Sequence, residues 1–166
     1  RSGGDIHVIN GNPDVLHTYF EKNKSNRNLA FVTYEQNFSK GKHLTIKQSV
    51  SYFNRSISLP AYIFGGKQYN YFTDVSYLFP LGNHIIIGGG NLYYDQFIET
   101  KIQKGNDRSI QQSTVGAYLQ DTWDINTKWK IESGLRGDHN NIYGNYLLPR
   151  TSVMYKFTDK LSSRIG

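Results

Sequence analysis

Polar and apolar residues alternate along most of this chain in runs of about ten residues, separated by turns rich in Gly, Asn, Asp and Pro. Alternation with a period of two is typical of β-strands that have one apolar and one polar face. The pattern predicts an all-β protein with about seven or eight antiparallel, up-and-down strands. The predicted strands are Asn28–Phe38, His43–Phe53, Tyr69–Phe79, His84–Tyr94, Ser113–Asp124, Trp129–His139, Asn145–Phe157 and Leu161–Gly166.

The predicted connections alternate between short turns and longer loops. The short turns lie near residues 41, 82, 127 and 159, and the long loops are Asn54–Gln68, Asp95–Gln112 and Asn140–Gly144. In an up-and-down sheet every second connection lies at the same end. Short turns at one end and longer extracellular loops at the other are typical of outer-membrane β-barrels. We therefore expect the three long connections to face the outside of the cell.

Strand length and the two strand faces favour a membrane β-barrel over a soluble protein. Soluble strands usually have five or six residues, whereas a tilted strand needs about nine to eleven to cross a bilayer. In Trp129–His139, the apolar Trp129, Ile131 and Leu135 share one face, and the charged residues share the other. Aromatic residues cluster at the ends of the runs, as in interfacial girdles. The apolar face is thus predicted to meet lipid, and Asp121 departs from the pattern because it falls on that face.

Composition narrows the function classes. Of the 166 residues, 37% are hydrophobic and 14% aromatic, and no apolar run is long enough for a membrane helix. The net charge is +6, but the Lys and Arg residues are scattered singly, which does not favour nucleic-acid binding. The chain has no cysteine, and its five histidines show no metal-ligand spacing. The sequence therefore predicts neither an enzyme nor a metal site or cofactor.

Two stretches in the second half of the chain resemble the barrel of TonB-dependent outer-membrane receptors. The first runs through Gly116–Trp123 and Gly134–Asp138 to Leu148-Pro149-Arg150. The second runs through Tyr155–Ser162 to Arg164-Ile165-Gly166. The order and spacing of these short motifs is similar to that of the family, whereas the earlier part of the chain matches only in the rhythm of its strands.

The resemblance implies a 22-stranded barrel with a plug domain, located in the outer membrane of a Gram-negative bacterium. It also implies contact with lipid and lipopolysaccharide, and TonB-powered uptake of a scarce ligand such as a ferric siderophore, cobalamin or a glycan. On this interpretation residues 1–166 are an internal part of one barrel domain, with the plug domain and the C-terminal strands absent. Two alternatives stay open: a small self-contained outer-membrane barrel acting as an anchor or adhesin, and a soluble β-sandwich that binds glycans.

The resemblance also suggests which residues meet the ligand, since ligands of the family lie above the plug, between the upper barrel wall and the loops. We expect ligand contacts from charged residues of the upper lumen and from loop aromatics, namely Arg136, Asp138, Arg150, Tyr62, Phe64 and Tyr143. Lower in the lumen, beside the plug, we expect Lys130, Glu132 and Lys156. The alternative is that the arginines pair with Asp138 or with plug carboxylates and only stabilise the wall.

Overall fold

The computed structural model describes residues 2–4, 19–101, 105 and 107–166. They form one nine-stranded sheet in which the strands follow one another in sequence order. The strands are β1 (Ser2–Gly4), β2 (Phe20–Asn37), β3 (His43–Leu59), β4 (Tyr62–Leu81), β5 (His84–Lys101), β6 (Ile110–Asp124), β7 (Trp129–Asn140), β8 (Gly144–Thr158) and β9 (Leu161–Ile165). The predicted all-β, antiparallel up-and-down architecture is confirmed. Among the described residues, no helix is long and apolar enough to cross a bilayer.

The strands β2–β9 correspond to the eight predicted strands, and β1 adds a short pairing with β2. The match is closest in β7, β8 and β9, whose bounds differ from the predicted ones by at most one residue at each end. The strands β2–β5 are longer than predicted, with 17 to 20 residues each. Since about nine to eleven residues cross a bilayer, each of these strands is long enough to continue beyond it.

Of the long loops predicted at Asn54–Gln68, Asp95–Gln112 and Asn140–Gly144, the first is wrong, the second is partly wrong, and the third agrees with the structure to within one residue at each end. The first is strand throughout, apart from a two-residue turn at Pro60-Ala61. Gly65 and Gly66 lie inside β4, and large groups pack closely over them: a Cβ on Gly66 would lie 2.6 Å from the Phe97 ring. In the other two connections, the flanking strands extend into the predicted loop.

The chain divides into two compact units. Unit 1 comprises Arg1–Ala30, Val50–Tyr71 and Tyr94–Gln111, and unit 2 comprises Phe31–Ser49, Phe72–Tyr93 and Gln112–Gly166. The strands β7, β8 and β9 therefore lie entirely in unit 2.

In unit 2 the sheet has an apolar face that is left uncovered. Leu119 of β6 is directly opposite Leu135 of β7, which is opposite Pro149 of β8. Leu119 and Leu135 are 60% and 50% exposed, and no hydrophobic residue in the described part of the chain is buried. A soluble β-sandwich buries the inner faces of its sheets in a core, so this alternative does not fit. An uncovered apolar face is the arrangement expected of a sheet that lies in lipid.

Aromatic side chains gather where the strands of unit 2 approach their tight turns. The rings of Trp129 and Tyr155 are 4.6 Å apart, and those of Tyr155 and Phe157 are 4.8 Å apart in an edge-to-face arrangement. Phe38, beside another tight turn, packs against Tyr77. Aromatic rings at this level suit the boundary between the hydrocarbon and the lipid headgroups.

Candidate functional site

The charged face of unit 2 carries a hydrogen-bonded network built around Arg136. Its Nε donates to Asp138 Oδ2 at 2.7 Å, and its Nη2 donates to Asn91 Oδ1 at 3.2 Å. The guanidinium carbon also lies 6.0 Å from the centre of the Tyr118 ring. The two predicted ligand contacts on β7 are thus brought together, with the Asp138 side chain only 12% exposed. This pairing fits the alternative in which Arg136 stabilises the wall.

Two glycines provide the room for this network. A Cβ on Gly116 would lie 2.0 Å from Asp138 Oδ1, and one on Gly89 would lie 2.5 Å from the Tyr118 ring. The Tyr118 hydroxyl can therefore reach across β5 and donate to Asp74 Oδ2 at 3.3 Å. The network joins side chains of four neighbouring strands, β4 to β7.

A second ion-pair group on the charged face is centred on Glu132. Arg150 Nη2 lies 3.6 Å from Glu132 Oε1, and Arg164 Nη1 lies 3.2 Å from Glu132 Oε2. The Glu132 side chain is 14% exposed, whereas that of Arg150 is 68% exposed. One carboxylate shared by two guanidinium groups leaves a local excess of positive charge. Arg150 is therefore better suited than Arg136 to bind a further anionic group.

The remaining lower-lumen candidates pair with acids near the tight turns. Lys130 Nζ lies 3.0 Å from Asp124 Oδ1, and Lys156 Nζ lies 2.9 Å from Asp159 Oδ1. The placement of Lys130, Glu132 and Lys156 beside a plug stays a prediction. The third loop aromatic, Tyr143, is 62% exposed in the β7–β8 connection.

In unit 1 the predicted contacts Tyr62 and Phe64 lie together under an arginine that sequence reasoning missed. The Arg108 guanidinium carbon is 5.4 Å from the centre of the Phe64 ring, within cation–π range. The Tyr62 side chain hydrogen-bonds to Arg108. Phe64 also stacks on Phe97, with 6.4 Å between the ring centres. Tyr62, Phe64, Phe97 and Arg108 are called the aromatic–arginine cluster below.

Arg108 is held in place by Glu99, one of the few buried polar residues in the described part of the chain. Glu99 is 7% exposed. Its carboxylate accepts the Arg108 backbone N–H at 3.0 Å and the Nε–H at 3.1 Å, and also contacts Arg108 Nη2. Both residues fall in the predicted loop Asp95–Gln112, where the sequence offers no pattern that pairs them.

Unit 1 also contains a polar cluster on β3, β4 and β5. Gln68 Nε2 donates to both carboxylate oxygens of Asp95, at 3.0 and 3.2 Å, and Asn70 Nδ2 donates to Asp95 Oδ1 at 2.8 Å. Ser51 Oγ in turn donates to Asn70 Oδ1 at 2.9 Å. Because both amides donate to Asp95, the cluster is a polar surface on which the Gln68 and Asn70 side chains have little freedom to reorient.

The structure accounts for the acid that breaks the apolar phase of β6. Asp121 Oδ2 lies 2.8 Å from Nδ1 of His84, and the His84 ring stacks on Trp123 with 5.5 Å between ring centres. The sequence did give a signal: Asp121 falls on the apolar side of the alternation in β6, and an acid on an apolar face needs a polar partner. The partner could not be chosen without the pairing of β5 and β6.

The described residues contain no group of three or more His, Asp and Glu side chains that could hold a metal ion. Their polar side chains instead form ion pairs and amide hydrogen bonds along the wall of the sheet. Such an arrangement can bind and orient a polar ligand or a protein segment.

Comparison with known proteins agrees with this architecture. A model of the family described as "TonB dependent receptor-like, beta-barrel" matches residues 3–166. No curated protein matches the sequence. The siderophore receptor PirA from Pseudomonas aeruginosa is similar in structure, with a TM-score of 0.68 and 15% identity over 84% of this chain and 25% of that chain.

Two further solved structures are similar. The FpvAI–pyocin S2 complex gives a TM-score of 0.64 at 12% identity, covering 83% of this chain and 25% of that chain. The ferric citrate transporter FecA in its unliganded form gives 0.58 at 20% identity, covering 85% of this chain and 26% of that chain. The chain thus spans about a quarter of the length of these proteins. Because the family match extends over residues 3–166, this chain belongs to the TonB-dependent receptor-like β-barrel family.

Proposed function

We propose that this chain forms part of the wall of a Gram-negative outer-membrane receptor that imports a scarce ligand, such as a ferric siderophore. The observation that carries the proposal is a sheet of long antiparallel strands that exposes leucines on one face and holds ion-pair networks on the other. Lipid suits the first face, and a wet lumen suits the second. The family is one of receptors and transporters, not of enzymes.

The similar structures favour a ferric chelate as the ligand. One is named as a siderophore receptor and another as a ferric citrate transporter. Identities of 12% to 20% support the fold but do not carry a ligand from one protein to another. Cobalamin and glycans therefore remain alternative ligands, to be tested beside ferric siderophores.

Energy for uptake would come from the TonB complex, acting through a plug domain in the full-length receptor. We assign Lys130, Glu132 and Lys156 to the wall beside that plug. The apolar face of the sheet would contact outer-membrane lipid and lipopolysaccharide. Contact with the ligand would come from Arg150 and from the aromatic–arginine cluster that contains Tyr62 and Phe64, with Tyr143 adding an exposed ring.

Arg136 and Arg150 are expected to behave differently when each is replaced by alanine in the full-length receptor. Arg136→Ala leaves the mostly buried Asp138 without its cation, which costs about 1–3 kcal/mol or more, so the amount of receptor at the cell surface should fall. Arg150→Ala leaves Glu132 paired with Arg164. It should instead raise the ligand concentration for half-maximal uptake by roughly tenfold, the size expected for one charged hydrogen bond.

The measurement is uptake of labelled ferric siderophores, cobalamin and an oligosaccharide by cells lacking the receptor and by cells in which it is restored. Surface levels of each variant are matched, and Gln120→Ala serves as a control on the same face. Restored uptake of one of these ligand classes supports the proposal. Failure of the receptor to restore uptake of any of them would contradict it, and unchanged uptake by Arg150→Ala would remove Arg150 from the ligand site.

A further inference from the structure

The uncovered apolar face of unit 2 contains an open depression with one acidic end. Mostly apolar and small residues of β6, β7 and β8 line it, and Asp121 lies at the end nearer the tight turns. Tyr118 and Arg150, whose side chains interact with Asp74 and Glu132 on the charged face, also border it. The lining includes Ala117, Leu119, Leu135, Gly137 and Leu147. Its volume is about 620 Å³. The depression is deepest at Gly137, which has no side chain, and a Cβ added there would meet no atom within 4 Å.

The acidic end has the chemistry of a headgroup site. Asp121 and His84 are each 39% exposed on the side chain, so both can be approached from the lipid side. Asp121 Oδ1 is buried, so the accessible carboxylate oxygen is Oδ2, which lies 2.8 Å from His84 Nδ1 and can accept one more hydrogen bond. The indole of Trp123, stacked on His84, adds an aromatic surface that attracts cations.

The depth of this pair matches the headgroup boundary. Trp123 is directly opposite Ile131, two residues along β7 from Trp129, whose ring belongs to the aromatic group with Tyr155. Asp121 lies one side-chain repeat further from the turn than Trp123. From Asp121 to Ala117 the strand advances about 13 Å along its own axis, away from the headgroup boundary. A molecule with a polar head and an apolar chain could therefore place its head at the Asp121 end and its chain at the Ala117 end.

We propose that this depression binds one glycerophospholipid whose headgroup carries a protonated primary amine. The ammonium group binds the Asp121 carboxylate, the phosphate lies towards the His84 ring, and one acyl chain lies along Ala117 and Gly137 between the leucines. The argument for this occupant is charge complementarity: a zwitterionic headgroup matches an acid beside an imidazole, and an acyl chain matches the apolar lining. The inference rests on the proposed location in the membrane.

The test is native mass spectrometry of the full-length receptor, released from bilayers that contain phosphatidylethanolamine, phosphatidylcholine and phosphatidylglycerol with identical acyl chains. We expect retention of phosphatidylethanolamine to exceed that of the other two lipids by about tenfold, the ratio for one charged hydrogen bond. Asp121→Asn should remove most of this preference. Ala117→Leu and Gly137→Leu should fill the depression and lower retention of every lipid, whereas Gln120→Ala on the opposite face should change nothing.

Several outcomes would overturn the inference. They are equal retention of the three lipids, a preference for phosphatidylglycerol, a preference unaffected by Asp121→Asn, or a receptor dimer that disappears in Gly137→Leu. Gel mobility before and after heating shows whether each variant is folded. Ligand uptake by the same variants separates the two proposals. A receptor that transports its ligand without selective lipid contradicts only the lipid site, whereas one that neither enters the membrane nor transports contradicts the proposed function.

Discussion

Replacing Leu119 with arginine should prevent most of the full-length receptor from assembling in the membrane. Leu119 is 60% exposed on the apolar face, six residues along β6 from the start of the tight turn at residue 125. An arginine on the lipid face costs about 2–4 kcal/mol at the bilayer midplane, which is the upper limit for Leu119, one side-chain repeat deeper than Asp121. That cost is a large fraction of the free energy of unfolding of a typical protein, which is about 5–15 kcal/mol. The assembled fraction is measured by the change in gel mobility on heating.

The matched control is Gln120→Arg, one residue further along the same strand and on the opposite face. Gln120 is directly opposite Gly134, whose missing side chain leaves space for the longer arginine. Since this face is expected to meet water, assembly should stay close to that of the unchanged receptor. Equal loss of assembly in both variants would show that neither face of β6 lies in lipid. A greater loss in Gln120→Arg would reverse the assignment of the two faces.

Gly89→Ala should lower the stability of the barrel by about 1–3 kcal/mol, as overpacking in tightly filled sites does. The new Cβ would lie 2.5 Å from the Tyr118 ring and 2.7 Å from the carbonyl oxygen of Val75. The ring can move, but the carbonyl belongs to the sheet backbone and cannot. Displacing Tyr118 would also weaken its hydrogen bond to Asp74. The midpoint of thermal unfolding of the purified receptor reports the change.

Gly137→Ala provides the control for this prediction, because the added methyl group would meet no atom within 4 Å. It should leave the midpoint unchanged or raise it slightly, since alanine restricts the unfolded chain more than glycine does. If the two variants have the same midpoint, the close packing of Tyr118 over Gly89 is not a feature of the folded receptor.

The strands and their two faces could be predicted from the sequence because both depend on a local period of two. Trp129, Ile131 and Leu135 on one face, with Lys130, Glu132 and others opposite, are enough to fix the phase of β7 without knowledge of its neighbours. The connections were predicted less well. Gly65 and Gly66 fall in a predicted loop, whereas β4 continues through them and the Phe97 ring packs over Gly66, a contact between strands that the local sequence does not reveal.

The pairing of charged residues could not be predicted, because it depends on the register between strands. Arg136 and Asp138 are near neighbours on one strand, so their ion pair was foreseen as an alternative. The sharing of Glu132 by Arg150 and Arg164 requires β7, β8 and β9 to be in register, and the cluster of Arg108 with Phe64 requires a connection to fold back. The identity of the ligand depends on side chains from several strands and loops, so the alternation along one strand does not predict it.

The central claim is that one face of this sheet meets lipid and the other meets water, and a spin-label scan along β6 tests it most directly. Single cysteines at Val115, Ala117 and Leu119 on the apolar face, and at Gln120 and Thr122 on the charged face, carry the label in the full-length receptor in bilayers. Accessibility is measured to oxygen, which concentrates in lipid, and to a water-soluble nickel chelate. We expect higher oxygen accessibility at the three odd-numbered positions and higher chelate accessibility at the two even-numbered ones. Uniform access of the chelate to all five positions, or the opposite alternation, would contradict it.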